Sequence, residues 1–123
     1  MNKKSIRGWR RLVDATIYSQ RGIKSAWRNE AAFRQEVAVV FVLVIAAFPV
    51  GRTMTQRSLL ILSALLILIV ELLNSAIESV VDRIGPERHP LAAQAKNMGS
   101  AAVLFSLIAA AVVWGLVIIE RWL

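Results

Sequence analysis

The chain has 123 residues, no cysteine, 57% hydrophobic residues and a formal net charge of +7. Lacking cysteine, it has no disulfide, no thiolate metal site and no cysteine nucleophile. Its apolar residues fall in blocks too long for a small soluble core, so the basic excess points to anionic lipid at a membrane surface and away from nucleic acid.

Residues 5–29 read as one or two amphipathic helices lying on a membrane. Trp9, Leu12, Val13 and Ile17 recur at helical spacing, as do Ile23 and Trp27, with arginines and lysines between them. Tryptophan on the apolar face and Lys/Arg on the polar one is the pattern of an interfacial helix. Gly22 is expected to divide the segment in two. A plain membrane anchor fits the same pattern. No signal peptide is expected, because the apolar stretch nearest the start follows some thirty mixed residues.

The first expected span covers residues 31–50. Its apolar part, 37–50, has only 14 residues, so it crosses only if read back through "AAFRQE", which makes one end polar. "FPVGRTMTQRS", residues 48–58, reads as a tight turn between antiparallel helices. The second span, 59–81, is long enough for about 30 Å of hydrocarbon. In "DRIGPERHPLAAQAKN", residues 82–97, Gly85-Pro86 is expected to stop that helix, and Pro90 to open a short helix leading into the third span. That span, 98–119, contains the uncharged run "AAVLFSLIAAAVVWGLVII". The expectation is an all-α integral membrane protein, one membrane domain over residues 1–123, without internal repeats.

Nine of the 15 basic residues precede the first apolar block. With three spans, the N-terminus and the second loop share a side and hold twelve basic residues against three. The positive-inside rule assigns that side to the cytoplasm.

The second span ends in "ELLNSAIESVVD". Glu71, Asn74, Glu78 and Asp82 are spaced 3, 4 and 4, which places them within one stripe of roughly 80° on an apolar helix. A carboxylate inside the bilayer costs at least about 2.5 kcal/mol on insertion scales, so it is protonated, paired or bound to a metal rather than idle. Asn74 fits a plain interhelical hydrogen bond equally well, and Asp82 a solvated helix end. A second polar set, Asn29, Glu30, Arg34, Gln35 and Glu36, lies at the same level. Glu30 and Arg34 suit a surface ion pair. Glu30 and Glu78 also suit a shared Mg²⁺, which favours carboxylates with water. Three helices offer few partners for so many polar groups, so satisfaction between subunits is expected. No glycine-rich phosphate loop is present, and the one histidine, His89, reads as solvated.

The pattern Glu-x-x-Asn-Ser-Ala-x-Glu-x-x-x-Asp over residues 71–82 resembles the signature of the prokaryotic diacylglycerol kinase family. "WRNEAAFRQE" (27–36) and "AKNMGSAAV" (95–103) resemble two further blocks of that family, so the likeness covers essentially the whole chain. The resemblance implies a homotrimer in the bacterial inner (cytoplasmic) membrane, multi-pass, with a cytoplasmic N-terminus and an N-terminal surface helix. It implies transfer of the γ-phosphoryl of MgATP to diacylglycerol, giving phosphatidic acid. By that analogy Glu71 is the general base, and Glu30 and Glu78 hold Mg²⁺ on the ATP. Arg11, Tyr18, Glu87, Arg88, His89, Lys96 and Asn97 are assigned to the nucleotide. Arg11, Ser19, Arg34, Gln35, Glu36, Ser100 and Trp114 join Glu71 on the lipid, with Asn74 and Asp82 in support. Asn97 departs from the family's usual aspartate and brings no charge for metal or ammonium.

A sister branch phosphorylates polyprenols such as undecaprenol, and its third block typically continues Lys-Asp-x-Ala-Ala-Gly. "MGSAA" here favours diacylglycerol. Outside the family, intramembrane carboxylates also suit a small proton or cation conductor, and the acidic stripe a structural subunit.

Overall fold

A computed structural model describes residues 3–123, with side chains from Arg7 onward; Met1 and Asn2 of the expected membrane domain lie outside it. The described residues form α1 (Lys3–Asn29), α2 (Ala31–Val50), α3 (Met54–Ile84) and α4 (Pro90–Trp122), with no strand among them. α2, α3 and α4 are each long and apolar enough to cross a membrane. At 1.5 Å per residue, α2 is about 30 Å long, α3 about 46 Å and α4 about 50 Å. The two longer helices therefore outreach a hydrocarbon layer of about 30 Å.

Where each helix stops follows from local chemistry. Gly22 does not divide α1, which is continuous from Lys3 to Asn29. One glycine costs about 1 kcal/mol relative to alanine, and neighbouring turns outweigh it. The break falls instead at Glu30, whose backbone is extended (φ −120°, ψ 105°). The Glu30 N–H still donates to the Ala26 carbonyl at 2.9 Å, so the chain bends there without orphaning its donor.

At the other end of α2, Pro49 sits within the last turn and the Gly51 N–H closes onto Ala47 at 2.9 Å. The connection shrinks to residues 51–53, and the Thr53 hydroxyl caps α3 by accepting from the Gln56 N–H at 3.1 Å. α3 ends at Gly85, whose φ of +141° is open to glycine and strained for other residues. No separate short helix precedes the third span. Pro90 is the first residue of one unbroken α4, and the His89 Nδ1 accepts from the Leu91 N–H at 3.1 Å. "LAAQAKNM" contains no glycine or proline to interrupt it.

α3 is the central helix, packed against α2 on one side and α4 on the other. Val40, Ala64, Ile67 and Ala110 form one buried cluster, and Ala47, Leu60 and Val117 another. Alanines at the contacts let the helices approach closely. Hydroxyls within the spans bond back to their own helix, Ser63 to the Leu60 carbonyl at 2.8 Å and Ser106 to Val103 at 2.6 Å.

The α2–α3 turn is fastened by side chains from other helices. Arg57 donates to the Phe48 carbonyl at 3.1 Å, and Arg121 to the carbonyls of Pro49 and Val50. Arg52 donates to the Arg121 carbonyl at 3.3 Å, and Gln56 to the Glu120 carboxylate at 2.9 Å. The last carbonyls of α2, which its own backbone leaves without partners, are thus satisfied from α3 and α4.

Candidate active site

The antiparallel register set by the short turn brings the polar end of α2 against the acidic stripe of α3. Glu71 is only 5% exposed, and its charged neighbours are Glu36, Glu78 and Glu30. Glu36 lies about 8 Å along α2 from its first residue, which sets the depth of the cluster. Glu30 stands at the junction of α1 and α2 and lines the cavity between α1 and α3. Asn74 is also buried, and its Nδ2 donates to Glu78 Oε1 at 3.4 Å. Glu36 Oε2, Asn74 Oδ1 and the Ser75 hydroxyl are buried without hydrogen-bond partners.

Arg34 does not pair with Glu30. Its guanidinium turns back to the end of α1 and donates to the Trp27 carbonyl at 2.6 Å and to Arg28 at 3.4 Å. Those carbonyls are orphaned where α1 stops, so a cation there is well placed.

Two cavities flank the acidic layer. One, of about 550 Å³, lies between the ends of α3 and α4 and is lined by Asp82, Glu87, Arg88, His89 and Lys96 among others. At its edge Lys96 Nζ and Asp82 form an exposed ion pair at 2.7 Å. The other, of about 480 Å³, separates α1 from α3 and is lined by Ser19, Asn29, Glu30, Ser75 and Ser79 among others. Ser75 and its cavity neighbour Ser79 were not singled out from sequence. Their signal was present as a serine every fourth residue beside the acidic stripe.

Other residues stand apart. Arg11 and Tyr18 are exposed on α1, where the Arg21 guanidinium lies 6.0 Å from the Tyr18 ring centre. Gln35, Asn97 and Ser100 are exposed. Trp114 packs on the Ala47–Leu60–Val117 cluster, about 22 Å along α4 from Gly99, and its indole N–H has no partner.

Among the described residues no group of three or more His, Asp or Glu side chains is arranged to hold a metal ion unaided. Two carboxylates, Glu30 and Glu78, nevertheless share Glu71 as a neighbour. That donor set fits Mg²⁺, which usually takes one or two carboxylates and completes its shell with water and substrate phosphates.

The fold and this site define a small helical protein with three helices able to cross a membrane and a carboxylate cluster gathered around the buried Glu71. The sequence model of the family described as "Prokaryotic diacylglycerol kinase" matches residues 17–118. The diacylglycerol kinase of Escherichia coli (strain K12) is 53% identical over 107 residues, covering 87% of this chain and 88% of that protein. That of Haemophilus influenzae is 47% identical over 108 residues (88% and 92%), and that of Helicobacter pylori (strain 26695) 42% over 117 residues (95% and 91%). The chain belongs to the prokaryotic diacylglycerol kinase family.

Proposed function

We propose that this protein phosphorylates diacylglycerol, moving the γ-phosphoryl group of ATP to the lipid hydroxyl and releasing phosphatidic acid and ADP. The observation that carries this reading is the 53% identity to a diacylglycerol kinase over nearly the full length of both chains. The carboxylate cluster, with Glu71 buried and Glu30 and Glu78 half-buried, supports it, because a phosphoryl transfer to a lipid needs groups reachable from hydrocarbon as well as water.

In the proposed reaction the lipid hydroxyl oxygen attacks the γ-phosphorus, and the bond from that phosphorus to the β,γ-bridging oxygen breaks. The hydroxyl proton passes to the Glu71 carboxylate, the general base. Glu30 and Glu78 would hold Mg²⁺, which supplies charge neutralisation to the ATP phosphates when bound. Asn74 orients Glu78 through the hydrogen bond between them. The cavity carrying Glu87, Arg88, His89 and Lys96 is proposed for the nucleotide. Arg11, Tyr18 and Asn97, outside its lining, are proposed to meet the nucleotide from a neighbouring subunit or at the part of it that projects beyond the cavity. The Lys96–Asp82 pair would open to admit phosphate. Ser19, Arg34, Gln35, Glu36, Ser100 and Trp114 are proposed along the lipid path.

The same reading takes the assembly as a homotrimer in the bacterial inner membrane, with the N-terminus and the α3–α4 loop cytoplasmic. α1 would lie on the membrane surface. In support, Trp9, Leu12, Val13, Ile17, Ile23 and Trp27 are all exposed on α1.

The test is transfer from γ-labelled ATP to diacylglycerol or undecaprenol in detergent micelles. Label in phosphatidic acid is expected. Label in undecaprenyl phosphate alone would move the protein to the polyprenol branch. No transfer to either lipid, from a folded oligomer, would overturn the kinase reading.

A further inference from the structure

Gly99, on α4, is buried, and the reason it carries no side chain lies across the interface on α3. A Cβ built at Gly99 would collide with Asn74 Oδ1 and come within 3.2 Å of Asn74 Cγ. The Asn74 carboxamide therefore occupies the space that any other residue at position 99 would fill. Its Oδ1 is buried with no hydrogen-bond partner, and its Nδ2 reaches Glu78. A polar group left partly unsatisfied in this way keeps its rotamer only while its surroundings leave it no alternative.

Resting on the kinase reading above, we infer that Gly99 is a positioning residue: by leaving room for the Asn74 carboxamide, it fixes the hydrogen bond that orients the Glu78 carboxylate. Gly99 touches neither substrate nor metal. It acts through Asn74, as partners behind a metal ligand commonly do. A methyl group at position 99 pushes against the far end of a two-torsion side chain rather than against backbone, so the helices stay packed while the carboxamide swings off Glu78. Gly115, on the same helix, has open space where its Cβ would be, and serves as the control.

The test is a double-mutant cycle on the full-length oligomer with Gly99→Ala, Asn74→Ala and both together. Gly99→Ala alone should raise the half-saturating Mg²⁺ concentration roughly tenfold, the scale seen when a metal ligand loses its orienting partner. The KM for diacylglycerol should stay unchanged, a split that a merely structural defect would not produce. In the Asn74→Ala background the same substitution should leave the Mg²⁺ requirement where Asn74→Ala alone puts it. Gly115→Ala should match wild type. An equal rise in both backgrounds, or none in wild type, overturns the inference. Unfolding midpoints in detergent give a readout independent of activity, with Gly99→Ala lowering the midpoint only when Asn74 is present. A wild type that transfers no phosphate counts against the kinase reading instead. The stability cycle then still decides, and equal losses in both backgrounds overturn the Gly99–Asn74 coupling.

Discussion

At Glu71 burial and charge fall on the same side chain, and the surroundings make the conflict worse, since its charged neighbours are Glu30, Glu36 and Glu78. Half-buried carboxylates gathered around a buried one repel it and leave it poorly hydrated, so the cluster is suited to receiving cations and protons rather than to holding the fold together. Replacing Glu71 with the isosteric, neutral Gln should therefore remove transfer by about 10²-fold or more, the scale of a lost general base. The unfolding midpoint should be equal to or above wild type, because one repelling charge has gone. Retained turnover would remove Glu71 as base. Glu30→Gln and Glu78→Gln should each raise the Mg²⁺ concentration needed for half-maximal rate, and unchanged titrations would count against shared metal binding. The stripe of Glu71, Asn74, Glu78 and Asp82 was legible in sequence because helical periodicity alone aligns it. That Glu36 comes to face Glu71 was not, since the pairing depends on the length of a turn far away in the fold. Arg34 is a case where a local rule misled. Spacing favours Glu30, but the orphaned carbonyls at the end of α1 compete for the guanidinium and win.

Element by element, three membrane-crossing helices could be read from hydropathy and length, which need no tertiary information. Boundaries depended on competition between punctuation and neighbours. Gly85 does stop α3, aided by a backbone conformation that favours glycine, whereas Gly22 leaves α1 intact in a helical environment. Gly22→Ala has open space for its methyl group and should increase α1 helicity and stability by about 1 kcal/mol. Circular dichroism and thermal unfolding in micelles check this, and a loss of helicity would show that position 22 is a working hinge. Pro90 opens a helix, as its fixed φ favours. That helix runs unbroken through the third span rather than forming a separate short piece, because no glycine or proline interrupts the polar residues that follow Pro90 until the span has begun.

On the scale of the whole molecule, large apolar side chains such as Phe41, Ile69 and Phe105 face outward from the three spans. Lipid or neighbouring copies must cover them, and the proposed trimer predicts a detergent-corrected mass of three chains. The opposite end from the acidic cluster is held by arginines on backbone carbonyls. Arg121→Ala should destabilise the oligomer by about 1 kcal/mol or more, as expected for lost hydrogen bonds from a charged donor, seen as a lower unfolding midpoint. An unchanged midpoint would mean that water satisfies those carbonyls equally well. None of this fastening was apparent from sequence, where Arg52, Arg57 and Arg121 counted only as three charges on one side.

The three-residue turn and its arginine fastening also give the bundle the mechanics of a pair of tongs. α3 and α4 are joined again at the other end by residues 85–89, so the arm left to move is α2: held at the turn, its displacement grows toward the carboxylates. A tilt of about 5° at the grip moves Glu36, about 21 Å along α2 from Val50, through about 2 Å. A hydrogen bond is lost when its atoms part by less than about 1 Å, so a slight rocking at the fastened end is enough to make or release a contact at Glu71.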